Sequence, residues 1–179
     1  ICPRWTIPVE PEITVHEGLC LAVDKGRILK LLPRIDANQQ FCPDVVYERP
    51  DHVLIPGLVN THTHAAMALM RGLGEDLPLE SWLKERIWPT EMRLVCPEFI
   101  DDGAQLAIME MLRGGITCFA DMYFYPERTA QIAVNSGIRM VAGMIAIEFP
   151  TPWSTDASDC ISKGLAVHDT YMTQPLIST

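Results

Sequence analysis

The chain has 179 residues, 48% of them hydrophobic, and 14 Lys and Arg against 23 Asp and Glu give a formal net charge of −9. That content suffices for a sizeable core, in one domain or part of a larger one. A field of this sign repels phosphate backbones and anionic lipid, which argues against nucleic acid and membrane surfaces as partners. Six cysteines stand at positions 2, 20, 42, 96, 118 and 160 without a close pair, and neither a leader nor an apolar stretch of spanning length accompanies them. The expectation is reduced thiols in a cytoplasmic protein, with no thiolate metal site, since such sites favour short C-x-x-C spacing.

In chain order, the first predicted elements are short strands. LCLAVDKGRILKLLP holds two apolar runs around Asp24, Lys25 and Gly26, and Gly26 supplies the positive φ of a tight hairpin. RWTIPVEPE and DVVYERPDHVLIPG read as further strands broken by prolines, so residues 1–57 are expected to belong to a small β-domain. From Leu58 onward strands alternate with helices. GLVNTHTH is a strand, and PEFIDDGAQLAIMEMLRGG is a helix with Pro97 near its start, apolar residues at 100, 104, 107, 108 and 111, and Gly114 past its end. ITCFADM reads as a buried strand, PERTAQIAVNSG as a helix stopped by glycine, and IRMVAGMIAI as a third strand. DASDCISKGLAVHDTYM follows as a helix with Asp156 as N-cap, and PLIST opens a fourth strand. Near-continuous apolar strands alternating with helices imply an α/β fold with a parallel sheet covered by helices.

His62 and His64 fall at the end of the strand that opens this alternation. Residues i and i+2 of a strand project to one face, so the two imidazoles converge. At the C-terminal end of a parallel strand, such a pair is half of a site for a divalent metal such as zinc. The alternative is a pair of incidental strand histidines.

The stretch VLIPGLVNTHTHAAMALMRGLGEDLPLESWL, followed by IWPTEMRL and GGITCFADMYFYPE, resembles the amidohydrolase superfamily. Within it, RGLGEDLPLESWL and ITCFADMYF resemble the branch of methylthioadenosine/S-adenosylhomocysteine deaminases and related chlorohydrolase-type enzymes. The resemblance implies a (β/α)8 TIM barrel, with its first three to four βα units in residues 58–179. Residues 1–57 would be the N-terminal part of a composite β-sandwich. It further implies one divalent metal ion, zinc by preference, with His62 and His64 as two of its ligands. Two further histidines, an aspartate and a proton-moving glutamate would come from later strands that this sequence does not contain. The chain is thus expected to be the first part of a barrel, inactive by itself and partnered by the C-terminal remainder, with the general acid and base unassigned. A homo-oligomer is compatible with this reading.

The implied activity is metal-dependent hydrolysis, in which an activated water replaces the amino group of an adenosine derivative. Two alternatives stand beside it: hydrolysis of other heterocycles, such as a guanine-type base or a chlorotriazine, and a catalytically silent scaffold. The resemblance also places Glu91 where the deaminases contact ribose hydroxyls; a solvated glutamate at a helix end is the plainer reading. Trp88 and Tyr123 are candidates for the walls of a base pocket, or for ordinary packing. Asp121 ends a strand at the functional face, where a cap on the following segment competes with a catalytic role. His168 shares a helical stripe with Ile161, Leu165 and Met172 and is expected to face the barrel's flank. His16 and His52 lie in the β-domain without a partner.

Overall fold

The computed structural model describes residues 1–179, which divide into two units, Ile1–Pro56 and Gly57–Thr179. In the first unit, β1 (Cys2–Thr6), β2 (His16–Glu17) and β5 (Glu48–Leu54) form one sheet in the order β2-β1-β5, while β3 (Leu19–Asp24) and β4 (Arg27–Pro33) pair as an antiparallel hairpin. The hairpin turns at Lys25 and Gly26, with φ of 47° and 74°. Two consecutive positive φ values are what a two-residue turn of the primed type demands, and Gly26 meets that demand without steric cost. Backbone hydrogen bonds between Ile1 and Leu21 tie β1 to β3.

Two features of this unit depart from expectation. Cys2 and Cys20 form a disulfide, their Cα atoms 4.3 Å apart, whereas the sequence separation of 18 gave no sign of a pair. Only Cys42, Cys96, Cys118 and Cys160 are free thiols. A helix, α1 (Arg34–Gln40), follows β4 directly; it buries no residue, so no apolar stripe announced it.

The second unit opens with β6 (Leu58–Thr63), a 3₁₀ segment over Ala65–Met70, and then a long helical run. That run joins α2 (Leu79–Trp82) to α3 (Trp88–Leu94) through a π turn over Leu83–Ile87. Pro89 has no N–H to offer the Glu85 carbonyl, and the ladder widens so that the Trp88 N–H bonds the Leu83 carbonyl five residues back. Next come α4 (Pro97–Arg113), β7 (Ile116–Met122), α5 (Pro126–Ser136), β8 (Arg139–Gly143), α6 (Ala157–Tyr171) and the short β9 (Ile177–Ser178). The four strands pair in chain order, β6-β7-β8-β9, and every pairing is parallel. No helix is long and apolar enough to cross a membrane.

Helix α4 buries Ile100, Ala104, Ala107, Ile108 and Met111, the stripe its sequence spacing requires. Of these, Ala107, Ile108 and Met111 join Phe119, Ala130, Ile138, Met140, Val167 and Ile177 in one core between the sheet and its helices, while Ile100 packs in a second cluster with Ala66, Tyr123 and Trp153. The other sheet face is more open within this chain: Met122 and Val141 are 45% and 43% exposed. In α6 the buried side carries Cys160, Gly164, Val167 and Tyr171, whereas Ile161, Leu165, His168 and Met172 face outward. The stripe expected to pack against the flank is therefore the solvent side. A rotation of about 100° per residue puts 160, 164, 167 and 171 on one line just as readily, and the small Cys160 and Gly164 let the helix approach closely. Asp156 caps α6 as expected, its Oδ1 accepting from the Asp159 N–H at 2.9 Å.

Gly103 marks the tightest contact behind the candidate site. A Cβ there would lie 2.4 Å from the Ala66 carbonyl oxygen and 2.7 Å from its Cα, and Ala66 is fully buried. Gly103→Ala is expected to destabilise the fold by about 2 kcal/mol, because overpacking against backbone outweighs the helix propensity that alanine adds. Thermal unfolding should show a Tm lower by roughly 4–8 °C; an unchanged or higher Tm would contradict the contact.

Candidate metal and substrate site

Strand β6 delivers its two histidines at its C-terminal end. His62 is exposed and His64, the first residue beyond the strand, is half-buried; their ring centroids lie 5.0 Å apart in an edge-to-face arrangement. The His64 Nδ1 lies 2.6 Å from the Met122 carbonyl oxygen. A carbonyl only accepts, so Nδ1 carries the proton and Nε2 keeps the lone pair that a metal needs. A ligating histidine is oriented in this way by a hydrogen bond from its other nitrogen. Two neutral imidazoles are a donor set suited to zinc. No group of three or more His, Cys, Asp or Glu that could hold a metal ion stands together in this chain, and the two histidines are a pair.

Asp121 holds the corner in place. It is 4% exposed, and its Oδ1 accepts from the Ala65 N–H at 2.7 Å and lies 2.8 Å from the Thr63 hydroxyl. Thr63 Oγ1 also reaches the Ala120 carbonyl at 2.9 Å, so its one proton is shared between two acceptors. Burial pushes the Asp121 carboxyl above the usual carboxylate range, against the hydrogen bonds from Ala65 and Thr63 and the proximity of His64. Asp121 thus holds the residues on both sides of His64, Ala65 through its backbone N–H and Thr63 through its hydroxyl. The cap reading of the sequence placed such a bond on the segment after Asp121; the structure places it on the segment after β6, one strand away.

Glu91 is 6% exposed, which overturns the solvated-glutamate alternative. It sits near the C-terminal end of the helical run that starts at Leu79, where the helix dipole does not favour a carboxylate, so its side chain depends on local partners. Its Oε1 accepts from the Tyr123 hydroxyl at 2.7 Å. Burial pushes the Glu91 carboxyl up, opposed by the Tyr123 hydrogen bond and by His64. Tyr123 is likewise buried, and its hydroxyl is driven far up by burial and then by the Glu91 charge, so it remains a donor. No protein donor reaches Glu91 Oε2.

These groups share one cavity of about 180 Å³, whose lining includes His64, Trp88, Glu91 and Tyr123. Trp88 is 38% exposed and stands one helical turn before Glu91. His64 also borders a wider groove of about 530 Å³ along β6 and α4, where Arg71 is held by both carboxylate oxygens of Glu110. The structure therefore gathers His62, His64, Trp88, Glu91 and Tyr123 at one end of the sheet. It leaves His168 outside, its ring nitrogen against the Thr179 hydroxyl, and His16 and His52 belong to the other unit. Sequence reasoning missed Met122 as the partner of His64 and Asp121 as its brace, because those contacts span 58 and 56 residues. The only available signal was that ITCFADMY ends level with NTHTH if the two strands pair in parallel.

Known proteins provide a comparison for this arrangement. The sequence model described as the amidohydrolase family matches residues 53–173. A 5-methylthioadenosine/S-adenosylhomocysteine deaminase of Saccharophagus degradans is 43% identical over 178 residues, 99% of this chain and 40% of that protein. The crystal structure of an adenosine deaminase from Xanthomonas campestris with bound zinc superposes with a TM-score of 0.96 at 42% identity, over 99% of this chain and 40% of the other. A triazine hydrolase from Arthrobacter aurescens has the same fold at 18% identity, with a TM-score of 0.79 over 98% of this chain and 44% of its own. The chain spans about 40% of the length of the deaminases it matches.

Proposed function

The chain belongs to the amidohydrolase family, and from that membership we propose that it forms the first-strand side of a metal-dependent deaminase acting on the amino group of an adenosine derivative. The observation that carries the substrate class is Glu91: a buried carboxylate with one oxygen tied to Tyr123 and the other free of protein donors, in the same cavity as His64. A carboxylate so placed accepts from the vicinal hydroxyls of a ribose. The similarity to deaminases of adenosine and its thioethers supports the same reading.

Sheet β6-β7-β8-β9 is, in this proposal, the opening part of a (β/α)8 barrel. Its order is sequential and parallel, its helices cover one face, and the more open face would be the barrel interior. Residues 1–57 would contribute to a β-sandwich. His62 and His64 would hold one zinc ion, His64 through Nε2 because its Nδ1 is engaged by Met122. Such an ion, when bound, supplies Lewis acidity and makes water ionisable near neutral pH. Asp121 keeps the His64 backbone fixed while Met122 keeps its ring oriented, and Glu91 with Tyr123 positions the sugar. Deamination consumes one water and releases one ammonia, the ring carbon exchanging its C–N bond for a C–O bond.

The test is ammonia release by the zinc-loaded whole protein to which this chain belongs, from 5-methylthioadenosine, S-adenosylhomocysteine and adenosine, beside guanine and a chlorotriazine. Turnover confined to the nucleosides is expected. Turnover of guanine or triazine alone would move the function to the heterocycle hydrolases, and none on any substrate would leave a silent scaffold.

A further inference from the structure

The helical run from Leu79 to Leu94 is one helix with a widened turn in it. The backbone is right-handed helical at Trp82, Leu83, Ile87 and Trp88, so the π turn over Leu83–Ile87 does not break the run. Its cause is local: the ring of Pro89 offers no N–H to the Glu85 carbonyl and would strike it in a regular α-helix. The consequence is rotational. A turn closed over five residues uses one more residue than a turn closed over four, so everything after it lags by one step, about 100°. Five residues of the run line the cavity shared with His64 and Tyr123, namely Trp82, Leu83, Ile87, Trp88 and Glu91. At a regular ~100° per residue they would spread over an arc of about 240°, too wide for one wall. With the lag they fall within about 140°.

Resting on the reading that Glu91 accepts from the ribose hydroxyls, we propose that Pro89 is a positioning residue, and that the π turn it imposes sets the register at which α3 presents Glu91 to Tyr123 and to the sugar. Glu91 depends on that register, because its buried carboxylate lacks the support of the helix dipole and is held by the Tyr123 hydroxyl at 2.7 Å. The start of the run is anchored independently. Trp82 Nε1 donates to the Leu73 carbonyl at 2.9 Å, and Gly74 lies so close that a Cβ there would stand 2.7 Å from Arg86 Cγ. A change of register is therefore taken up downstream, by α3. In Pro89→Ala the new N–H can bond the Glu85 carbonyl, the ladder closes over four residues, and Glu91 turns by about 100° away from Tyr123. Deleting the exposed Glu85 from that variant removes the surplus residue, so that a regular helix returns Glu91 to the cavity.

The experiment takes the whole protein to which this chain belongs and compares wild type, Pro89→Ala, and Pro89→Ala lacking Glu85. Each is crystallised, and kcat/KM for 5-methylthioadenosine is measured in the zinc-loaded state, with and without Glu91→Gln. Pro89→Ala should lose the Tyr123–Glu91 hydrogen bond and roughly ten- to hundredfold in kcat/KM. Added to Glu91→Gln it should cost less than about twofold more, because a residue that acts through Glu91 then has nothing left to act on. Deleting Glu85 should restore the hydrogen bond and bring kcat/KM to within about twofold of wild type. A Pro89→Ala structure that keeps both the π turn and the Tyr123 bond would overturn the proposal. So would a full Pro89→Ala loss in the Glu91→Gln background, or a deletion variant that stays impaired. Glu91→Gln losses equal on 5-methylthioadenosine and adenine would instead remove the ribose reading, and the crystal structures would still decide whether Pro89 sets the register.

Discussion

Replacing His64 by alanine is expected to lower zinc content and turnover together, by more than the ~10- to 100-fold that loss of a supporting hydrogen bond costs such a site. In the proposed site the two nitrogens of His64 have separate duties: Nδ1 donates to the Met122 carbonyl, which would leave Nε2 for the ion. Alanine removes both at once. It leaves the corner standing, because Asp121 holds the Ala65 N–H and the Thr63 hydroxyl rather than the His64 side chain. His62→Ala should act in the same direction, since one remaining imidazole from this strand is an incomplete half-site. Elemental analysis beside kcat/KM decides the matter, and full metal content with wild-type turnover in either variant would remove both histidines from the metal shell.

Glu91→Gln should cost about 1.5–3 kcal/mol of transition-state binding on a nucleoside, roughly ten- to hundredfold in kcat/KM. Glutamine replaces one acceptor oxygen by a donor and removes the charge that strengthens both bonds to the sugar. Its remaining carbonyl can still accept from the Tyr123 hydroxyl, so the wall of the cavity should survive the change. A substrate without ribose should be affected far less. The comparison is therefore 5-methylthioadenosine against a free base such as adenine, in wild type and variant. Equal losses on both would make Glu91 a support of the site rather than a reader of the sugar.

What could be read from the sequence was local. The hairpin at Lys25 and Gly26, the buried stripe of α4 and the Asp156 cap depend on residues within a turn or two of one another. The pairing of His62 with His64 follows from strand period alone. What escaped depends on contacts across the chain. The Cys2–Cys20 bridge needs β1 and β3 side by side, and the Met122 and Asp121 bonds to the 63–65 corner need β6 and β7 in parallel register, Thr63 opposite Asp121. The α6 error has another origin. Two lines of residues along that helix looked equally eligible by period, and the bulkier Ile161, Leu165 and Met172 suggested the buried one, whereas close packing selected the side with Cys160 and Gly164. Glu91 shows the same limit, since only its tertiary burial against Tyr123 distinguishes it from a solvated helix-end glutamate.

Metal removal tests most directly whether deamination depends on an ion held by His62 and His64. The whole protein to which this chain belongs is dialysed against a chelator, freed of it, and assayed for ammonia release from 5-methylthioadenosine before and after zinc is returned. Ammonia release should vanish with the metal and return as zinc approaches about one ion per chain, with no recovery in His64→Ala. Ammonia release that persists undiminished in metal-free protein, or full recovery in His64→Ala, would contradict it.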